Sequence, residues 1–234
     1  MRAIAEGPAD QLALRSAVNT DGYAVVREVL SPRQCLQVAS QYSSDSLFRS
    51  RVVMARHGFG RGEYKYFAYP LPDIVAELRE ALYQSVVDLA NQWHEAMRIP
   101  SRYPPTHAEF LQRCHEAGQT RPTPLLLSYE AGDYNCLHQD LYGDEVFPLQ
   151  MAVLLSLPGR DFSGGEFVLT EQRPRMQSRV HVVPLDQGDA VVFPVHHRPV
   201  QGTRGFYRVN MRHGISKLHA GRRTTLGIIL HDAK

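Results

Sequence analysis

Around Pro124 the spacing of apolar residues changes from steps of three and four to short strand-like runs, so helices come first in this chain and sheets after. Between Pro72 and Met97, residues Ile74, Val75, Leu78, Leu82, Val86, Leu89 and Trp93 share one helical face, which predicts a long amphipathic helix lying on a sheet. Beyond Pro124 the runs LLLSYE, FPLQMAVLLSL, EFVLTE, VHVVPL, DAVVFPV and TTLGIIL are divided by Gly, Pro and Asp turns and predict strands. The expectation is an α+β protein with an all-β barrel or jelly roll over 125–234, supported by a mostly helical region over 1–124, the whole forming one domain. Within that N-terminal region, residues 8–18 suit a short helix, Gly22–Arg27 a strand, and Ser31-Pro32 the start of a second helix. Residues 43–70 read as loops and short strands, and Thr106 with Glu109 forms a capping box that opens a short helix ending near Gly118.

Composition removes several function classes. Hydrophobic residues at 43% and charged residues at 21% are ordinary globular usage, which excludes a disordered or fibrous chain. A formal net charge of +2 is too small to argue for a polyanion partner without a local cluster. The cysteines Cys35, Cys114 and Cys136 are odd in number and lack a CxxC pair, which speaks against a disulfide framework or a zinc ribbon and makes a reducing cytoplasm the expected location. The first residues carry no apolar signal core and no stretch approaches 18 unbroken apolar residues, so neither secretion nor membrane spanning is expected.

The sharpest local feature is Leu137-His138-Gln139-Asp140. Residues i and i+2 of an extended segment face the same side, so the imidazole of His138 and the carboxylate of Asp140 converge on one ion. Two histidines and one carboxylate on one face of an octahedron suit ferrous iron and leave three positions for substrate and oxygen. An HxD triplet alone is common, and it needs a partner. Downstream, His213 is followed by Gly221 and Arg223 at eight and ten residues and then by the apolar strand of Leu226, Ile228 and Ile229. Upstream, Tyr129 and Gly132 form Y-x-x-G before His138; Gly164-Gly165-Glu166-Phe167 and the strand-like Gly188-Asp189-Ala190-Val191-Val192-Phe193 complete the set.

This combination resembles the iron(II) and 2-oxoglutarate dependent dioxygenase superfamily over roughly residues 125–231. The resemblance implies a double-stranded β-helix, iron(II) held by His138, Asp140 and His213, 2-oxoglutarate and molecular oxygen as co-substrates, and succinate and carbon dioxide as products. It also implies that Arg223 binds the far carboxylate of 2-oxoglutarate, a contact a guanidinium makes better than an ammonium. Arg222 points to the opposite face by strand alternation. Tyr129 is a candidate second donor to the same carboxylate, or simply core. His197, with Gly202 and Arg204, is an alternative distal ligand whose spacing to the arginine is seven rather than ten. The remaining histidines have no spacing partner. The aromatic stretch Tyr64 to Tyr69 is either core or a flap over the barrel mouth.

For the substrate, YEAGDYNCLHQD resembles AlkB-type repair dioxygenases, and the C-terminal half resembles a bacterial oxygenase family assigned to oxidative repair of damaged nucleic acid. AlkB-type enzymes carry a second arginine where this chain has Ile229, and the distal spacing is that of prolyl-hydroxylase-like enzymes. Ten arginines and Lys217 crowd residues 160–223, and Arg173, Arg175, Arg204 and Arg208 are expected on loops of the barrel rim as phosphate contacts, with Phe206 and Tyr207 available to stack on a base. Pairing of several of these arginines with acids is the plainer expectation. The competing functions are a small-molecule or peptidyl hydroxylase of the same mechanism and a non-catalytic cupin-like metal-binding module.

Overall fold

The computed structural model describes residue 4 and residues 7–234. Among these residues four α-helices form: α1 (Pro8–Asp21), α2 (Pro32–Ser40), α3 (Asp73–Ala96) and α4 (His107–Glu116). The strands are β1 (Ala24–Val26), β2 (Phe48–Val53), β3 (Gly60–Arg61), β4 (Glu63–Phe67), β5 (Leu125–Glu130), β6 (Tyr134–His138), β7 (Leu149–Leu154), β8 (Phe162–Gly164), β9 (Phe167–Gln172), β10 (Arg179–Val183), β11 (Ala190–Pro194), β12 (His197–Gly202), β13 (Gly205–Ile215) and β14 (Leu218–Ile229). The large sheet runs β1-β11-β7-β14-β5-β4-β2 with β8 joined to β14; the small sheet runs β10-β9-β13-β6-β3 with β12 joined to β13. All the paired strands are antiparallel. Two facing antiparallel sheets with helices against one of them are the expected double-stranded β-helix.

The unbroken apolar runs are explained by burial on both faces. Along β7, Leu149, Met151 and Val153 pack with the helices, whereas Ala152 and Leu154 point between the sheets; β11 divides the same way, Ala190 and Val192 against Val191 and Phe193. Helix α3 buries Val75, Leu78, Leu82, Val86, Leu89 and Trp93, and it contacts β7 and β14. The foreseen capping box of Thr106 with Glu109 opens α4, and the foreseen N-cap Ser31 opens α2, where it also forms a capping box with Gln34.

One expectation is extended and another corrected. Residues 1–124 carry all four described α-helices, and they also enter the sheets themselves, because β1 and the β2–β4 pair extend the large sheet and β3 extends the small one. The stretch Tyr64 to Tyr69 supplies most of β4, with Tyr66 and Phe67 buried, so it forms part of a sheet and not a flap. Second, RPVQGTRGFYR is not loop. It forms the β12–β13 hairpin, in which Gly202 pairs with Gly205 beside the turn and Arg208 sits in mid-strand opposite Pro199.

Candidate active site

The site lies between the sheets. His138 ends β6, Asp140 follows it, and His213 stands directly opposite His138 on β13. The β6–β13 ladder pairs His213 with His138 but Ile215 with Asn135, so one extra residue on β6 forms a bulge. That extra residue reverses the alternation, and both Asn135 and His138 consequently line the same cavity. Arg223, Thr225, Gly227 and Ile229 line it from β14, at every second residue as a strand requires.

Ligating atoms of His138, Asp140 and His213 all lie within 4.8 Å of one another. Asp140 Oδ2 is 3.3 Å from His213 Nε2, and Oδ1 is 3.7 Å from His138 Nε2. His138 Nδ1 is 2.8 Å from the Cys136 carbonyl; with the proton on Nδ1, the Nε2 lone pair is turned to the cluster. His213 is held by aromatic rings, 4.7 Å from the Phe193 centroid and 6.0 Å from that of Phe167. Burial, with the neighbouring His138, pushes the His213 imidazole down to about 3, so it stays a neutral donor. Burial alone would raise the Asp140 carboxyl, but His213, His138 and the Tyr142 hydroxyl outweigh it and hold the group below the usual carboxylate range. Two neutral-type nitrogen donors and one carboxylate with converging atoms are a fitting donor set for ferrous iron.

Arg223 is 1% exposed, and among the described residues no carboxylate forms an ion pair with it. Its Nη1 donates to Thr225 Oγ1 at 2.5 Å, while Nε is buried without a partner. Burial pulls its pKa down to about 10, still far above neutrality. A buried, incompletely bonded cation is costly unless an anion arrives. Tyr129 is fully buried 5.9 Å from the Arg223 guanidinium; its hydroxyl oxygen accepts from Asn135 Nδ2 at 3.3 Å, which leaves its proton to donate. Arg222 instead points outward and meets Glu130 at 3.4 Å.

His197 does not join the cluster; it lies on β12 opposite Asn210. Sequence reasoning did not single out Tyr142, whose hydroxyl donates to Asp140 Oδ1 at 2.7 Å, or Tyr66, which donates to Tyr142 at 2.9 Å. Of the arginines between 160 and 223, Arg173, Arg179 and Arg198 all converge on the buried Glu171, and Arg160 meets Asp161. Arg175, Arg204, Arg208 and Arg212 are exposed.

The fold and this site define a non-haem iron(II) and 2-oxoglutarate dependent oxygenase. Residues 62–233 match the profile of the Oxygenase-NA family, described as oxygenases catalysing oxidative methylation of damaged DNA, and the chain belongs to that family. An uncharacterized protein carried by two Mycobacterium tuberculosis strains is 44% identical over 167 residues, covering 71% of this chain and 72% of the relative. A Pseudomonas putida prolyl-4-hydroxylase superposes with a TM-score of 0.52 at 13% identity, covering 93% of this chain and 96% of its own. A Burkholderia pseudomallei oxidoreductase of the 2OG-Fe(II) oxygenase family gives 0.54 at 15% identity, covering 100% and 96%. These two likenesses show the shared fold.

Proposed function

We propose that His138, Asp140 and His213 hold the iron, that Arg223 and Tyr129 bind the far carboxylate of 2-oxoglutarate, and that the substrate is an alkylated base in nucleic acid. The observation that carries the first two assignments is the single cavity that joins the triad to an unpaired buried arginine. Iron with 2-oxoglutarate and oxygen supplies the oxidising chemistry, which inserts one oxygen atom into a substrate C–H bond and releases succinate and carbon dioxide. This chain's residues do the rest. Arg223 and Tyr129 fix the co-substrate's tail, while the Phe167 and Phe193 rings hold His213 and keep water from its inner side. If the hydroxylated carbon is a methyl on nitrogen, loss of formaldehyde returns the unmodified base.

Nucleic acid as substrate class is supported by the family's description and by the exposed arginines. Arg208 and Arg212 alternate with inward residues on β13, the strand of His213, and Phe206 on the same outward row is 54% exposed. Arg204 stands at the hairpin turn, and Arg173 and Arg175 lie beyond β9. Such a mixture of guanidinium groups and an aromatic face suits a single strand. We place the activity in one domain over 1–234, since one apolar cluster draws on residues from Ile4 to Leu230, and in the cytoplasm, where three free cysteines stay reduced. No helix among the described residues is long and apolar enough to cross a membrane.

Replacing His138, Asp140 or His213 by Ala abolishes Mn(II) binding measured by calorimetry and succinate formation together. Retained metal binding in the His213 variant would remove it from the triad. For the substrate, affinity for a single-stranded oligonucleotide falls steeply with salt, and the Arg175→Ala, Arg208→Ala pair flattens that slope, Arg173 being engaged with Glu171. Salt-independent binding, or none at low salt, would turn the assignment to a small-molecule or peptide hydroxylase.

A further inference from the structure

We infer that Tyr142 is a positioning residue that commits Asp140 to binding metal through one oxygen only. The inference rests on the triad proposed above. Tyr142 Oη donates to Asp140 Oδ1 at 2.7 Å, and Oδ2 is the oxygen 3.3 Å from His213 Nε2. Oδ1 is therefore engaged by a hydroxyl before any metal arrives, although it also lies 3.7 Å from His138 Nε2, while Oδ2 carries no such hydrogen bond from Tyr142 and is turned to His213.

Tyr142 is itself fixed from the N-terminal half of the chain. Tyr66 on β4 donates to its hydroxyl at 2.9 Å, with the two rings edge to face at 6.1 Å. The backbone beside it is clamped by Gln119, which is fully buried; its amide donates to Glu145 O at 3.0 Å and to Asp232 O at 2.6 Å and accepts from Glu145 N at 2.7 Å. Gly143 makes that clamp fit, since a Cβ there would lie 2.3 Å from Gln119 Cδ. The ring of His231, 6.0 Å away, packs beside Tyr142.

The chemical consequence follows from counting coordination positions. Three single-atom protein ligands leave three open positions on an octahedron, enough for a chelating keto acid and dioxygen. A carboxylate that binds through both oxygens takes one of these away. The Tyr142 hydroxyl, by holding Oδ1, keeps the third position open.

The test uses the full-length protein loaded with Co(II) or Mn(II) without turnover. Tyr142→Phe should bind Mn(II) roughly 10–100-fold more weakly, the usual loss for an outer partner of a ligand. Its Co(II) visible bands should change, and 2-oxoglutarate should bind the Co(II) protein more weakly than in the unaltered chain. Tyr66→Phe should move the same readouts in the same direction by less. A Tyr142→Phe protein with unaltered metal affinity and Co(II) bands overturns the inference, as does a lowered Tm accompanied by unaltered bands. If Tyr142→Phe does not fold, Tyr66→Phe decides: unaltered bands there overturn the inference. Failure of the unaltered protein to bind either metal would instead overturn the triad.

Discussion

At the scale of single residues, the site depends on a few groups that lack partners of their own. Arg223 combines full burial, one hydrogen bond to Thr225 and an unpartnered Nε, so its charge is matched only when an anion enters the cavity. Arg223→Ala should therefore raise the 2-oxoglutarate requirement by roughly 10–100-fold, the equivalent of about 1.5–3 kcal/mol for a charge-assisted contact, while Mn(II) binding stays nearly unchanged. Steady-state titration of 2-oxoglutarate checks this, and an unaltered KM removes Arg223 from that role. Strand alternation pairs His138 with Asp140, and the family resemblance adds His213 and Arg223; the structure brings all four to one cavity. Tyr142 was not legible in the sequence. Its partner Tyr66 is 76 residues away in sequence, and no local pattern marks a loop tyrosine as bonded to a carboxylate.

At the scale of elements, the β6 bulge and the start of β14 do the aiming. Without the extra residue in β6, alternation would turn either Asn135 or His138 out of the cavity. On β14, Gly221 has φ +78°, and a Cβ there would lie 2.0 Å from the Asp161 carbonyl oxygen of the segment leading into β8. That close approach sets the strand two residues before Arg223. Gly221→Ala should thus cost at least about 1–3 kcal/mol through backbone strain, with a Tm fall of roughly 2–4 °C per kcal/mol for a chain of this size. Thermal unfolding followed by circular dichroism gives the answer, and an unaltered Tm would show that β8 yields easily. The long helix, the Ser31 N-cap, the Thr106 capping box and the buried strands were readable from period and punctuation. The β12–β13 hairpin escaped because its exposed face carries Phe206, Arg208 and Arg212, and the glycines at 202 and 205 read as loop although they flank a tight turn. β1 falls in the strand read at Gly22–Arg27 and β2–β4 in the short strands read within 43–70, but the sheet each joins was not legible, because their partners β11, β5 and β6 lie far along the chain.

At the scale of the whole molecule, buried histidines set the response to acid. His107 and His231 are pulled down to about 4 by burial and by the Arg79 charge, and His196 to about 4 by burial and by its neighbour His197. Below the usual 6.5 the unfolded chain takes up protons at these positions that the folded chain does not, so stability falls as pH drops from about 6.5 towards 4. Glu171 adds to the loss further down. Burial would raise its carboxyl, but Arg198 and Arg173 hold it at about 2, so its contribution is present above 4.5 and disappears as pH falls towards 2. Melting the metal-free protein between pH 7 and 4 should show a steady fall in Tm that His107→Gln makes shallower; a flat profile would contradict the neutral buried state.

His213 stands on the small sheet and Arg223 on the large one, and only Ser216 and Lys217 separate β13 from β14. The proposed metal end and the proposed co-substrate end of the site are thereby halves of one cooperative unit. Neither sheet can peel away and leave a working fragment, so slow amide exchange along β14 and integrity of the catalytic pocket are lost together, in a single event with the free energy of global unfolding.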